Sequence, residues 1–278
     1  MSDGHWQLEG SAAELYQRYL VPAITTKWAK DLVSRAQPRT GETVLDVACG
    51  TGVVARLVAE RMGTGQVTGL DLNAGMLAVA QSVPHEGTPI RWVEGSALDL
   101  PFSLASFDVI LCQLGLQFFP DQRRALHEMR RVLNESGRAA ISVYSPIEET
   151  PGAHAFVLAL DDILGADASR IKRAEHSFTE PAQLETLLRA SGFGAVNVET
   201  VEQTIEFPSV LDYVRFQLLA TPMTTLLKGK TGTERQSTIA SVAAGTEARS
   251  SRSMLHGGRF TFPQQAYVAL CKGASRAS

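Results

Sequence analysis

The chain has 278 residues, 44% of them apolar and 20% charged, which is ordinary globular usage and excludes disorder as a global description. Twenty-six Lys and Arg against 29 Asp and Glu leave a net charge of −3, without the broad basic field that non-specific nucleic-acid or anionic-membrane binding needs. Cys49, Cys112 and Cys271 are widely spaced and form no CxxC or Cys/His cluster, so neither a disulfide framework nor a metal site is expected. Neither the opening MSDGHWQLEG nor any later run has the apolar length of a signal sequence or of a span of roughly 18–20 residues. A cytoplasmic protein without membrane insertion is the expectation.

In chain order, residues 10–37 repeat apolar positions at spacings of three and four, which predicts helix, with Pro22 marking a break. Strand and helix then alternate. Residues 43–47 read as a strand and 53–62 as the helix after it, closed by Gly63–Gly65. Residues 66–70 form a second strand, and Asn73 is placed to cap a helix over 74–81. Strands follow over 90–93 and 107–112, the latter apolar enough for burial on both faces. Asp121 opens a helix over 122–133, and Gly137 sits where a left-handed terminator is expected before a fifth strand, 138–144.

The second half is less regular. A helix is expected over 153–164, and another after Thr179 as cap and Pro181, closed by Gly192. Long strands are expected over 195–207 and 260–271. Between them, 209–258 reads as helical at both ends around the centre KGKTGTER, whose glycines predict a mobile cap able to close over a substrate. The expected fold is α/β: a Rossmann-like, seven-stranded, mostly parallel sheet with helices on both faces. One domain would span 1–278, with an N-terminal helical lid (10–37), a core (40–207 and 259–272) and an inserted helical cap (209–258).

The chemistry concentrates in VLDVACGTG, residues 44–52. A strand entering a glycine-rich turn and then a helix brings backbone amides against a ligand. Gly50 to Ala55 also fits G-x-G-x-x-A, which nicotinamide dinucleotides and S-adenosylmethionine both use. Asp46 separates them: its charge repels a pyrophosphate and attracts, through water, a methionine ammonium. It equally suits capping of nearby amides. Asp71, ending the second strand, is placed to accept both ribose hydroxyls of either ligand, at about 1.5–3 kcal/mol per charge-assisted bond. No Tyr-x-x-x-Lys pair supports an oxidoreductase.

On these residues the sequence resembles the class I S-adenosylmethionine-dependent methyltransferases, particularly the group of ubiquinone/menaquinone C-methyltransferases. VLDVACGTG is similar to their first motif, placing Asp46, Ala48, Gly50 and Gly52 at the cofactor. GLDLNAGML (69–77) is similar to the second, with Asp71 on the ribose and Leu72 and Met76 beside the adenine. EGSALDLPF (94–102) resembles the third, with Ser96, Ala97 and Leu98; Ser96 replaces the usual acid and can accept the same adenine hydrogen bond with shorter reach. The resemblance further implies Gln113 at the methionine part, where an exposed loop amide is the alternative. YQRYLVP implies a helical lid with Tyr19 at the cofactor. Leu72, Met76 and Leu98 equally suit ordinary core.

The resemblance implies methyl transfer from S-adenosylmethionine to a C, O or N nucleophile of a small organic molecule, with no metal. A fold that keeps the cofactor for other chemistry or regulation is the alternative. A homodimer is kept as a candidate assembly. No catalytic base stands out. Tyr144, at the carboxyl end of the fifth strand, and His154 and His176 are the pocket candidates; His127 falls off its helix's apolar stripe, and His5 lies in the terminal segment.

Overall fold

The computed structural model describes residues 10–273, so His5 lies outside the described residues. Eight strands form one sheet: β1 (Thr43–Val47), β2 (Gln66–Asp71), β3 (Ile90–Glu94), β4 (Phe107–Gln113), β5 (Leu133–Tyr144), β6 (Phe193–Phe207), β7 (Leu255–His256) and β8 (Arg259–Gly273). The order is β3-β2-β1-β4-β5-β8-β6, with β8 antiparallel to both β5 and β6. The seven expected strands are present, and the eighth, β7, is a two-residue hairpin arm on β8. Val44, Leu45, Val47 and the run Val109–Cys112 have no more than traces of exposure, as strands covered on both faces require.

The first helices are α1 (Gly10–Leu15) and α2 (Thr26–Ala36), joined by a π-helical stretch, Tyr16–Thr25, that contains Pro22. The expected break at Pro22 is therefore a widening: i→i+5 hydrogen bonding accommodates the missing N–H and the chain continues as helix. α2 buries Trp28, Ala29, Leu32, Val33 and Ala36, and the Trp28 indole N–H donates to Gln264 Oε1 at 2.8 Å. α3 (Val53–Met62), α4 (Ala74–Ser82) and α5 (Gln122–Val132) cover the sheet's first half. Asn73 and Asp121 cap α4 and α5, accepting the amides of Met76 and Arg124.

Gly137 is not a helix terminator. The helix stops at Val132, β5 starts at once, and Gly137 lies inside it without positive φ. Its hydrogen is needed for close approach, since a β-carbon there would lie 2.9 Å from the Asp108 carbonyl oxygen at the β4–β5 register shift.

In the second half lie α6 (Pro151–Leu164), α7 (Arg170–Ala174) and α8 (Pro181–Ala190). Residue 180, not Thr179, stands before α8; Thr179 exchanges two hydrogen bonds with the Gln183 amide instead. The cap region contains α9 (Val210–Leu219) and α10 (Gly232–Arg249). It is packed rather than loose. Tyr213 of α9 sits among Phe156, Phe207, Phe260 and Phe262, with ring centroids 5.1–5.5 Å apart. α10 buries Ile239, Val242 and Ala243 in the same core, and its start is fixed by a reciprocal Thr231–Glu234 capping box. Among the described residues, no helix is long and apolar enough to cross a membrane, and no group of three His, Cys, Asp or Glu could hold a metal.

Candidate active site

The carboxyl ends of β1, β2 and β4 open onto a cavity of about 540 Å³. Ligands of doubly wound sheets bind at this edge where the strand order reverses, here between β1 and β4. The floor is the turn after β1, where Ala48 has φ 57° and Gly50 φ 55°. Leu114, just past β4, has φ 50°. Ala48 and Leu114 carry β-carbons in a conformation that costs roughly 1–3 kcal/mol, and both line the cavity. A β-carbon on Gly115 would lie 2.8 Å from that of Ala48, so the two turns are in contact. On Gly50 it would meet nothing within 4 Å, which leaves the backbone bare toward the cavity.

Two carboxylates face this turn. Asp46 is buried: Oδ2 accepts the Ala55 amide of α3 at 3.1 Å, while Oδ1 has no partner. Oδ2 thus plays the expected capping role, and Oδ1 remains bare. Burial raises its pKa to about 8, with the charge of Asp71 adding to the shift. Asp71 accepts the Gly50 amide at 2.7 Å and the Asn73 amide at 2.8 Å, and burial raises its pKa against those bonds. Thr51 Oγ1 and Gln113 Oε1 are further buried cavity-wall atoms without partners, while Gln113 Nε2 donates to the Thr25 carbonyl at 3.1 Å. A site with two acids and several bare acceptors fits a ligand bearing positive charge and N–H or O–H donors, and opposes a pyrophosphate. Met76, Ser96, Ala97 and Leu98 form an adjoining wall, and Leu72 reaches it from an exposed position. Ser96 Oγ accepts the Leu98 amide at 3.2 Å, holding that turn.

The opposite half of the cavity comes from outside the first four strands. Tyr16, Leu20 and Ile24 of the π-helix line it, with Tyr144 at the end of β5 and Lys172 and Glu175 around α7. Gln217, Thr221 and Pro222 close it from the end of α9. Burial raises the Tyr16 phenol to about 12 and pushes the Tyr144 phenol well up. His176 stacks on Tyr144 at 4.9 Å between centroids. Its Nδ1–H donates to the Ser145 carbonyl at 2.7 Å, leaving Nε2 bare, and burial beside Lys172 lowers its pKa to about 3.

Most expected residues meet in this one cavity, with four exceptions. Tyr19 points away and stacks on Phe216 at 3.9 Å, because π winding puts positions 16, 20 and 24 on the inner face. Gly52 is off the wall, and a β-carbon there would collide with the Trp92 indole. His154 is off the wall on α6, whose core face is Ala153, Phe156, Val157 and Leu160. His176 is a layer behind Tyr144. Lys172, Glu175, Gln217 and Tyr16 went unread in the sequence. Pro22 inside a continuing helix is the signal for Tyr16; a five-residue helix offers none for Lys172.

Residues 44–137 match the methyltransferase domain family. The chain is 32% identical over 183 residues to the chloroplastic 2-phytyl-1,4-beta-naphthoquinone methyltransferase of Arabidopsis thaliana, covering 60% of this chain and 70% of that protein. It is 40% identical over 128 residues to the demethylmenaquinone methyltransferase of Thermotoga maritima, covering 46% of this chain and 55% of the other. In structure it is similar to a Haemonchus contortus phosphoethanolamine N-methyltransferase solved with phosphomonomethylethanolamine and S-adenosylhomocysteine (TM-score 0.58, 19% identity, 90% of this chain and 53% of that one). The chain belongs to the class I S-adenosylmethionine-dependent methyltransferases. As a member of that family it transfers a methyl group, with S-adenosylmethionine as the donor.

Proposed function

We propose that the turn after β1 holds the methionine part of S-adenosylmethionine, with Asp46 Oδ1 and Gln113 Oε1 accepting from its ammonium. Asp71 takes the ribose hydroxyls, and Leu72, Met76, Ser96, Ala97 and Leu98 border the adenine. The opposite half, from the π-helix to Pro222, takes the acceptor, a compact molecule with an apolar, quinone-like body. Residues 10–36 and the end of α9 act as the lid elements. The bound cofactor supplies an electrophilic methyl group on a sulfonium; the chain holds the two ligands in line and excludes water, worth about 7–11 kcal/mol of barrier. The observation that supports this reading is the buried, unpartnered Asp46 Oδ1 beside Asp71, two carboxyl groups whose ionised forms a cationic ligand would favour. Parallel calorimetric titrations test it. S-adenosylmethionine and S-adenosylhomocysteine should bind and nicotinamide dinucleotides should not; the reverse result rejects the reading.

A further inference from the structure

The acceptor half holds a buried ion pair that the cofactor does not need. Lys172 Nζ lies 2.6 Å from Glu175 Oε2, and both side chains are more than nine-tenths buried. Both line the cavity, and the ammonium also sits 5.8 Å from the Tyr144 ring centroid. Across the same wall, Gln217 is 2% exposed with Oε1 unpartnered. Burying two charges together is often no more stabilising than burying an apolar pair of the same volume. Stability alone therefore gives little reason for the pair to be at the cavity wall.

We infer that Lys172 and Glu175 are the specificity-determining pair for the acceptor, selecting a net-neutral molecule by a hydroxyl group on its apolar body. This rests on the assignment of that half of the cavity to the acceptor. A hydroxyl is both donor and acceptor, so its oxygen can accept an N–H of Lys172 while its O–H donates to the Glu175 carboxylate, and the pair stays neutral overall. Gln217 Oε1 offers a further acceptor to a second donor on the molecule. A carboxylate or phosphate meets the Glu175 charge, and an ammonium meets that of Lys172, each at a buried site where like charges are costly.

The test uses the full chain saturated with S-adenosylhomocysteine and four probes of one shape: 1-naphthol, naphthalene, 1-naphthoate and 1-naphthylmethylammonium. Ligand-observed NMR should show 1-naphthol binding at least about tenfold tighter than the other three, as hydrogen bonds to charged groups allow. Single substitutions would strand a buried charge, so the informative variant is the double replacement Lys172→Met with Glu175→Leu, which keeps the volume. It should fold, retain S-adenosylhomocysteine affinity within about twofold, and lose the preference of 1-naphthol over naphthalene. The inference is overturned if the wild-type chain prefers naphthoate or the ammonium probe, if it does not separate naphthol from naphthalene, or if the folded double variant keeps the preference. Failure of S-adenosylhomocysteine to bind the wild-type chain would instead overturn the cofactor reading, and this inference with it.

Discussion

The two halves of the cavity are built by opposite means. The cofactor half comes from short, contiguous stretches: residues 46–54 after β1, 70–76 after β2 and 95–98 after β3. Each is a strand end with its turn, held by local hydrogen bonds such as those from the Gly50 and Asn73 amides to the Asp71 carboxylate. The acceptor half draws on Tyr16, Tyr144, Lys172 and Gln217, which only tertiary packing brings together. A local device can hold a fixed cofactor, while the scattered wall can change its acceptor without disturbing the turn. Substitutions in one half should therefore leave binding in the other nearly unchanged.

The largest separation is expected at Gly50. Gly50→Val puts a branched side chain into the cavity at φ 55°, and cofactor binding should fall below detection by calorimetry while the circular dichroism spectrum is kept. Normal binding would show that the turn is not the cradle. Asp71→Ala comes next. It removes the proposed partner of the ribose and frees two backbone amides, and S-adenosylmethionine affinity should drop by roughly 2–4 kcal/mol. Unchanged affinity in a folded variant would take Asp71 out of the site.

The same division explains what could be read from the sequence. Asn73, Asp71 and the glycine turn signal through their neighbours in the chain, and the structure brings Asp46, Gly50 and Asp71 together as expected. Tyr144 was legible because strand ends face ligands in parallel sheets. Lys172 and Glu175 were not, since a five-residue helix has too few turns to show a periodicity. Gln217 depends on how α9 seats Tyr213 among four aromatic rings, a tertiary fact. The buried face of α10 was less legible than the glycines that precede it, because Ile239, Val242 and Ala243 find their partners only in the tertiary core.

A smaller effect, on the cofactor side alone, follows from Asp46. Its folded-state pKa of about 8 lies above the ordinary value near 3.9, so the ligand-free protein binds the extra proton. That contribution to stability is fully present below about pH 4 and is lost as pH rises through about 8. A cofactor ammonium favours the ionised form, so binding releases a proton. Affinity for S-adenosylhomocysteine should rise with pH by up to about tenfold per unit below pH 8. Calorimetry in buffers of different ionisation enthalpy should detect the released proton, and Asp46→Asn should abolish both signals. A flat pH profile in the wild-type chain would show that Asp46 does not meet the cation.

The smallest effect tests the π-helix itself. With ordinary α-helical winding, Tyr19 would share the inner face with Tyr16; with i→i+5 bonding Tyr16, Leu20, Ile24 and Thr25 line the cavity and Tyr19 does not. Tyr19 stacks on Phe216 of α9, with the Arg18 guanidinium 5.2 Å from its ring centroid. Tyr19→Ala should therefore cost stability, about 0.5–1.5 kcal/mol for the stacked pair beyond the lost area, and lower the melting temperature. Cofactor affinity and the probe preference should each move by less than about twofold, or 0.4 kcal/mol. Tyr16→Phe should instead change acceptor-side binding, alongside about 0.5–1.5 kcal/mol of stability for the lost bond between its buried phenol and Thr25 at the cavity wall. If Tyr19→Ala weakens cofactor binding tenfold and Tyr16→Phe has no effect, the helix winds as an α-helix in solution and the inner face must be reassigned.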